Sequence, residues 1–164
     1  MDPASLRQLY DHHAWALDRL LARALAASPE EASRSSGTAP SLLETLDHMI
    51  SAERRWLGRW QLKPRTPWPA AGNINQVVRR WGMVQAEARA FLSALGDRDL
   101  KAVMPAYKPQ KTLSSGVTRV LLHGAQHRAE AAALLTDLGY SPGQLDYMEF
   151  LEERDAALPG HPPS

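Results

Sequence analysis

The chain has 164 residues, with nineteen Lys and Arg against eighteen Asp and Glu for a formal net charge of +1, six His and no Cys. That length suits one domain able to bury roughly 70% of the surface its unfolded form exposes. The lack of cysteine excludes a disulfide framework, a thiolate nucleophile supplied by the protein and any Cys-based zinc site, so a metal would need His or carboxylate ligands. The two signs of charge are interspersed, which argues against a nucleic-acid partner. Short basic runs such as Arg54, Arg55 and Arg59, or Arg79 and Arg80, read as solvated helix faces. The start MDPASLRQLYDHH lacks the basic and apolar regions of a signal peptide, and no apolar run nears the roughly 20 residues that span a bilayer. A cytoplasmic protein without membrane contact is expected.

The prolines fall between periodic segments, at Pro29 and Pro40, then Pro64, Pro67 and Pro69, then Pro105 and Pro109, then Pro142, and they cut the chain into four long pieces. The first, about Pro3 to Ala27, repeats Leu6, Leu9, Tyr10, His13, Leu17, Leu20 and Ala24 on one stripe. The second begins at Ser41, whose partner Glu44 completes a capping-box pattern, and runs to about Trp60. The third opens with Asn73 and Gln76, carries Val77, Trp81, Val84, Ala88, Phe91, Leu92 and Leu95 at helical spacing, and has Gly96 as its stop. Asp97 to Leu113 reads as extended or irregular, with Lys101 to Tyr107 a candidate short strand. The fourth helix starts near Ser114 and ends at Gly139, which suits a left-handed position just past a helix. Four amphipathic helices cannot bury their stripes singly, so the spacing predicts an all-α, up-and-down four-helix bundle with long inter-helix connections over residues 1–155. The Pro- and Gly-rich tail from Ala156 to Ser164, with His161, is expected to be disordered.

Within the fourth piece, LLHGAQHRAEAAALL sets His123 and His127 one turn apart, on the side shared by Val120, Leu134 and Leu138. Two inward imidazoles need hydrogen-bond partners or a metal. Glu130 lies at the edge of that face as a further ligand or an acceptor, whereas Arg128 is expected to point away. Gly124 directly follows His123 where a zincin would carry Glu, which disfavours that peptidase class and suggests close helix approach instead. A metal site in a bundle draws on facing helices, and two histidines are candidates to face the pair. His13 sits mid-stripe, equally suited to a satisfied core position. His48 lies off the stripe of Leu42, Leu46, Met49, Ile50, Trp56 and Leu57, and periodicity does not choose it.

Over nearly its whole length, from LRQLYDHHAWALDRLL through SLLETLDHMISAERRWL to LLHGAQHRAEAAALLTDLGYSPGQLDY, the chain resembles the DinB superfamily of metal-binding four-helix bundles, which includes the YfiT-like thiol transferases. The pattern is a histidine followed shortly by Ala-Glu and an aromatic on the second helix, then His-x-x-x-His on the fourth. His48 with Ala52, Glu53 and Trp56 fits the first part, and His123 with His127 and Arg128 the second. Many relatives have Gly-Gln where this chain has Ala129-Glu130, and an asparagine near the position of His13.

The resemblance implies that His48, His123 and His127 form a three-histidine site for a divalent metal, nickel or zinc, with open coordination positions. It implies a transferase of a low-molecular-weight thiol onto an electrophilic small molecule, with a hydrolase using metal-bound water or a binding protein without turnover as alternatives. Glu44 and Glu130 become candidates to orient imidazoles, and Tyr10 and His13 candidates to line the pocket. Homodimerisation through the second and third helices is also implied, with the stripe of Met49, Trp56 and Trp60 divided between core and partner.

Overall fold

In the computed structural model, residues 1–35, 37–63, 65–104 and 111–157 are described. Asp2 opens α1 (Pro3–Ala24) by accepting hydrogen bonds from the Ala4 and Ser5 amides, both at 2.9 Å. The helix ends three residues before the expected Ala27, and a short α2 (Pro29–Ser33) follows behind a Ser28/Glu31 capping box. The Ser41/Glu44 box opens α3 (Leu42–Trp60), and the Asn73 side chain opens α4 (Ile74–Ser93). Gly96 is not the stop of α4. It stands at the start of α5 (Asp97–Lys101), where the Asp99 carboxylate accepts its amide hydrogen.

The segment read as irregular contains a two-stranded antiparallel pair, β1 (Val103–Met104) and β2 (Lys111–Thr112). The candidate strand Lys101 to Tyr107 is thus confined to Val103–Met104, and residues 105–107 lie outside the described residues. Thr112 caps α6 (Leu113–Asp137), and Gly139, at φ 85°, takes the left-handed position expected after it. A last helix, α7 (Tyr147–Ala156), is an addition to the four read from the sequence, opened by Asp146, which accepts from the Met148 and Glu149 amides. Its Phe150 packs beside His12 and Trp15 of α1, and Glu153 accepts from Trp15 Nε1 at 2.9 Å. The tail expected to be disordered from Ala156 begins later, since Ala156 ends α7 and Ala157 caps it, and residues 158–164, with His161, lie outside the described residues. Among the described residues no helix is long and apolar enough to cross a membrane.

The four long helices make the bundle, and their neighbours in space are α1 with α4, α4 with α3, α3 with α6, and α6 with α1. Contacts along α3 and α4 advance together, from Asp47–Arg80 to the Trp60–Phe91 stack, so these two helices run in the same direction. Between α1 and α4 the contacts run oppositely, Arg7 meeting the Leu92 carbonyl and Asp18 meeting Trp81. The winding is therefore down twice in succession at α3 and α4, which explains one long connection: a return of some 28 Å along a 19-residue helix needs a linker as long as 61–73. The Asp47 carboxylate holds this crossover, accepting from the Ala71 amide at 3.0 Å and from Arg80 at 2.6 Å, while Arg80 also donates to the Pro69 carbonyl. Arg80 is accordingly buried, a correction to its reading as a solvated face, whereas Arg79 is exposed. Leu17, Leu20, Leu46, Ile50, Leu57 and Leu135 have no exposed surface and form the middle of the core, each such side chain stabilising the fold by about 1.5–3 kcal/mol relative to exposure.

Candidate metal centre

The helices α3 and α6 run antiparallel, since His48 meets His127, Trp56 meets Arg119 and Trp60 meets Gly116 in succession. That pairing sets His48 opposite the His123/His127 pair although the chain separates them widely. Ring centroids lie 5.5 Å apart for His48–His123, 4.9 Å for His48–His127 and 4.4 Å for His123–His127. One ring nitrogen from each falls within 4.8 Å of the other two, the one such group of His and carboxylate side chains among the described residues. Two nitrogens held by a tetrahedral ion at about 2.05 Å stand roughly 3.3 Å apart, and His123 Nε2 and His127 Nε2 are already at 3.2 Å. The donor set fits a divalent ion.

Each ring is prepared differently. His127 Nδ1 donates to Glu130 Oε2 at 2.5 Å, which places the ring proton on Nδ1 and leaves the Nε2 lone pair facing the cluster. Glu130 is steadied in turn by Gln126, which donates to its other oxygen at 3.1 Å. Partial burial pushes the Glu130 carboxyl up, but the hydrogen bonds from His127 and Gln126 outweigh it and the net shift is down. Partial burial pushes His48 and His123 below the ordinary histidine value, and the neighbouring His127 adds to both shifts, so the neutral, metal-binding form is favoured. His48 is exposed and the other two half-buried, so the cluster opens on one side to solvent.

The other sequence candidates lie elsewhere. Glu44 is exposed and its carboxylate accepts from Ser41 and Ser35 in the α3 cap. Tyr10 and His13 are buried at 2% and 1% exposure around the Glu53 carboxylate: the Tyr10 hydroxyl donates to Oε1 at 2.7 Å and His13 Nε2 to Oε2 at 3.0 Å. Arg128 donates to His13 Nδ1, so that nitrogen carries the lone pair and the ring proton sits on Nε2. Arg128 therefore points into the bundle, not away from it, and burial pushes its guanidinium down to about 10 despite the opposing Glu53 charge. At Gly124 an added Cβ would stand 2.5 Å from His13 Cε1, so the close approach foreseen at this glycine is that of an imidazole ring.

His13 thus touches all the other long helices, at Glu53 of α3, Trp81 of α4 and Arg128 of α6. Arg128 and Glu53 were not singled out by periodicity. The signal was present, because Val117, Val120, Gly124, Ala131 and Leu135 mark the buried line of α6, and that line passes through position 128 and leaves His123 and His127 at its edge. Met49 and Trp60 are likewise buried within the single chain, so the off-centre stripe of α3 needs no partner to cover them.

No match is found among curated proteins. Among solved structures, the chain is similar to a DinB-like protein from Bacillus cereus, with a TM-score of 0.74 and 16% identity, over 87% of this chain and 97% of that one. At that identity the likeness speaks for the fold. The DinB superfamily model matches residues 12–131, a span that includes all three clustered histidines and the Glu53–His13–Arg128 network. On that match, more than half of its length, the chain belongs to the DinB superfamily.

Proposed function

We propose that His48, His123 and His127 hold a divalent first-row ion, nickel or zinc, and that the protein transfers a low-molecular-weight thiol to an electrophilic small molecule. The observation that carries this reading is the convergence of three imidazole nitrogens within 4.8 Å at a solvent-open edge of the bundle. A closed structural site would enclose its ion with four protein ligands, whereas three leave room for a reactant. An ion bound there supplies a Lewis acid that keeps a thiol as thiolate, or a water as hydroxide, at neutral pH. The chain contributes the rest: Glu130 fixes the His127 tautomer, and the Glu53–His13–Arg128 network locks α6 against α1 and α3 behind the cluster. With no cysteine in the sequence, the nucleophile comes from solution. A cytoplasmic homodimer belongs to the same reading, and sedimentation at micromolar concentration tests the assembly.

Elemental analysis of protein purified without a histidine tag is expected to find about one ion per chain, lost in His123→Ala. Screening with glutathione, mycothiol and bacillithiol against electrophiles tests the chemistry. Turnover that persists in His123→Ala would overturn it, ester hydrolysis needing no thiol would assign a hydrolase, and metal uptake without turnover would leave a binding protein.

A further inference from the structure

Next to the histidine cluster, along the groove between α3 and α6, lies a cavity of about 390 Å³ lined by Trp56, Met104, Lys111, Ser115, Gly116 and Arg119. Arg119 is one turn before His123 on α6 and lies over Trp56, two turns past His48 on α3, so cavity and cluster both border the α3–α6 interface. The lining holds two cations, a hydroxyl and no carboxylate. Three arginines lining grooves elsewhere on the molecule are paired with carboxylates, Arg19 with Glu153, Arg89 with Asp11 and Arg65 with Glu87. Lys111 and Arg119 have no carboxylate partner among the described residues, and Arg119 instead lies over the Trp56 ring, 5.3 Å from its centroid. A further donor stands behind them. Trp60 Nε1 is buried without a hydrogen-bond partner, and it sits with the tip of Met104 at the spot a Gly116 side chain would occupy, 3.0 Å from that missing Cβ.

We infer that this cavity binds the carboxylate of a small organic acid, held by Arg119 and Lys111 with its carbon body against Trp56 and Met104. Its role as the substrate pocket of the histidine centre rests on the function proposed above; the binding itself does not. The carboxylate can belong to the thiol or to the electrophile, and the two sources are separable.

Binding is measured on chelator-treated protein by tryptophan fluorescence and ligand-observed NMR, with phenylacetate and S-methylglutathione as probes and their neutral amides as controls. Neither probe needs a metal, so a protein that binds them and takes up no ion keeps this inference and loses the proposed function. The acids are expected to bind about tenfold more tightly than the amides, with Arg119→Gln and Lys111→Gln each weakening them roughly three- to tenfold, the loss of one charge-assisted hydrogen bond at an exposed site. Both side chains are exposed, so neither substitution disturbs the core. Binding of phenylacetate alone assigns the carboxylate to the electrophile, and of S-methylglutathione alone to the thiol. Equal affinity for acid and amide, no binding of either acid at about 10 mM, or unchanged affinity in both variants overturns the inference.

Discussion

Replacing Glu53 by alanine is the sharpest probe of what holds the bundle in register. The carboxylate is 2% exposed and accepts two hydrogen bonds, from the Tyr10 hydroxyl at 2.7 Å and from His13 Nε2 at 3.0 Å. Its removal strands both donors and leaves the Arg128 guanidinium, 8% exposed, with no opposing charge beside it. Breaking such a buried charge arrangement costs about 3–5 kcal/mol. At this chain length 1 kcal/mol corresponds to about 2–4 °C of melting temperature, so Glu53→Ala should melt roughly 6–20 °C lower. Thermal unfolding of metal-free protein followed by circular dichroism is the assay, since a bound ion would add its own stabilisation. Tyr10→Phe, which deletes one donor to a charged acceptor, should lose only about 1.5–3 kcal/mol. The double variant Glu53→Leu/Arg128→Met removes charge from both sides and should recover much of the deficit of the single variant. A melting temperature for Glu53→Ala within about 2 °C of the parent, or a double variant no more stable than Glu53→Ala, would refute the reasoning.

Glu130→Gln should weaken nickel or zinc binding by about 10- to 100-fold with little change in metal-free stability, because only the orientation of the His127 ring is lost; competition with a chromophoric chelator reads this directly. Gly124→Ala should be destabilising by about 1–3 kcal/mol despite alanine's better helix propensity, since its Cβ would strike a His13 ring that is anchored at both nitrogens. Gly82→Ala, exposed on α4 with nothing within 4 Å of the new atom, should instead stabilise by up to about 1 kcal/mol, and urea denaturation of the pair checks the contrast. The pH dependence has a definite sign. His12, His48 and His123 all lie below the ordinary 6.5 in the folded chain, chiefly through burial, so on acidification the unfolded chain takes up protons first. The urea midpoint of metal-free protein should therefore fall as pH drops below 6.5, and a midpoint that rises over that interval would contradict the assignment.

Local features were legible because their physics is local. The Ser41/Glu44 box, the Asn73 cap and the left-handed Gly139 each depend on a few neighbouring residues, and each sits as read. The path of the chain around the bundle depends on which stripes meet, and nothing in the spacing of Leu46 or Val84 says that α3 and α4 run parallel. The inward side of α6 is hard to read for a related reason. Periodicity counts an arginine as polar and so points Arg128 to solvent, although Gly124 one turn earlier marks a line of close packing. His48 shows the opposite limit: off the apolar stripe of its own helix, it acquires significance only through the facing helix, and the Ala52-Glu53 motif beside it carried information that hydropathy did not.

Along α6, positions 123 and 127 open on the solvent-facing cluster, while positions 124 and 128, one step on, reach the buried network. One helix therefore serves two compartments through adjacent residues about 100° apart. A single residue inserted between Gly116 and Arg128 would carry the His127 imidazole toward the buried network, and a single deletion there would carry the Arg128 guanidinium toward the histidines. Changes of length among its relatives should then fall in the connections on either side, and alignments of them should carry no gaps over this stretch.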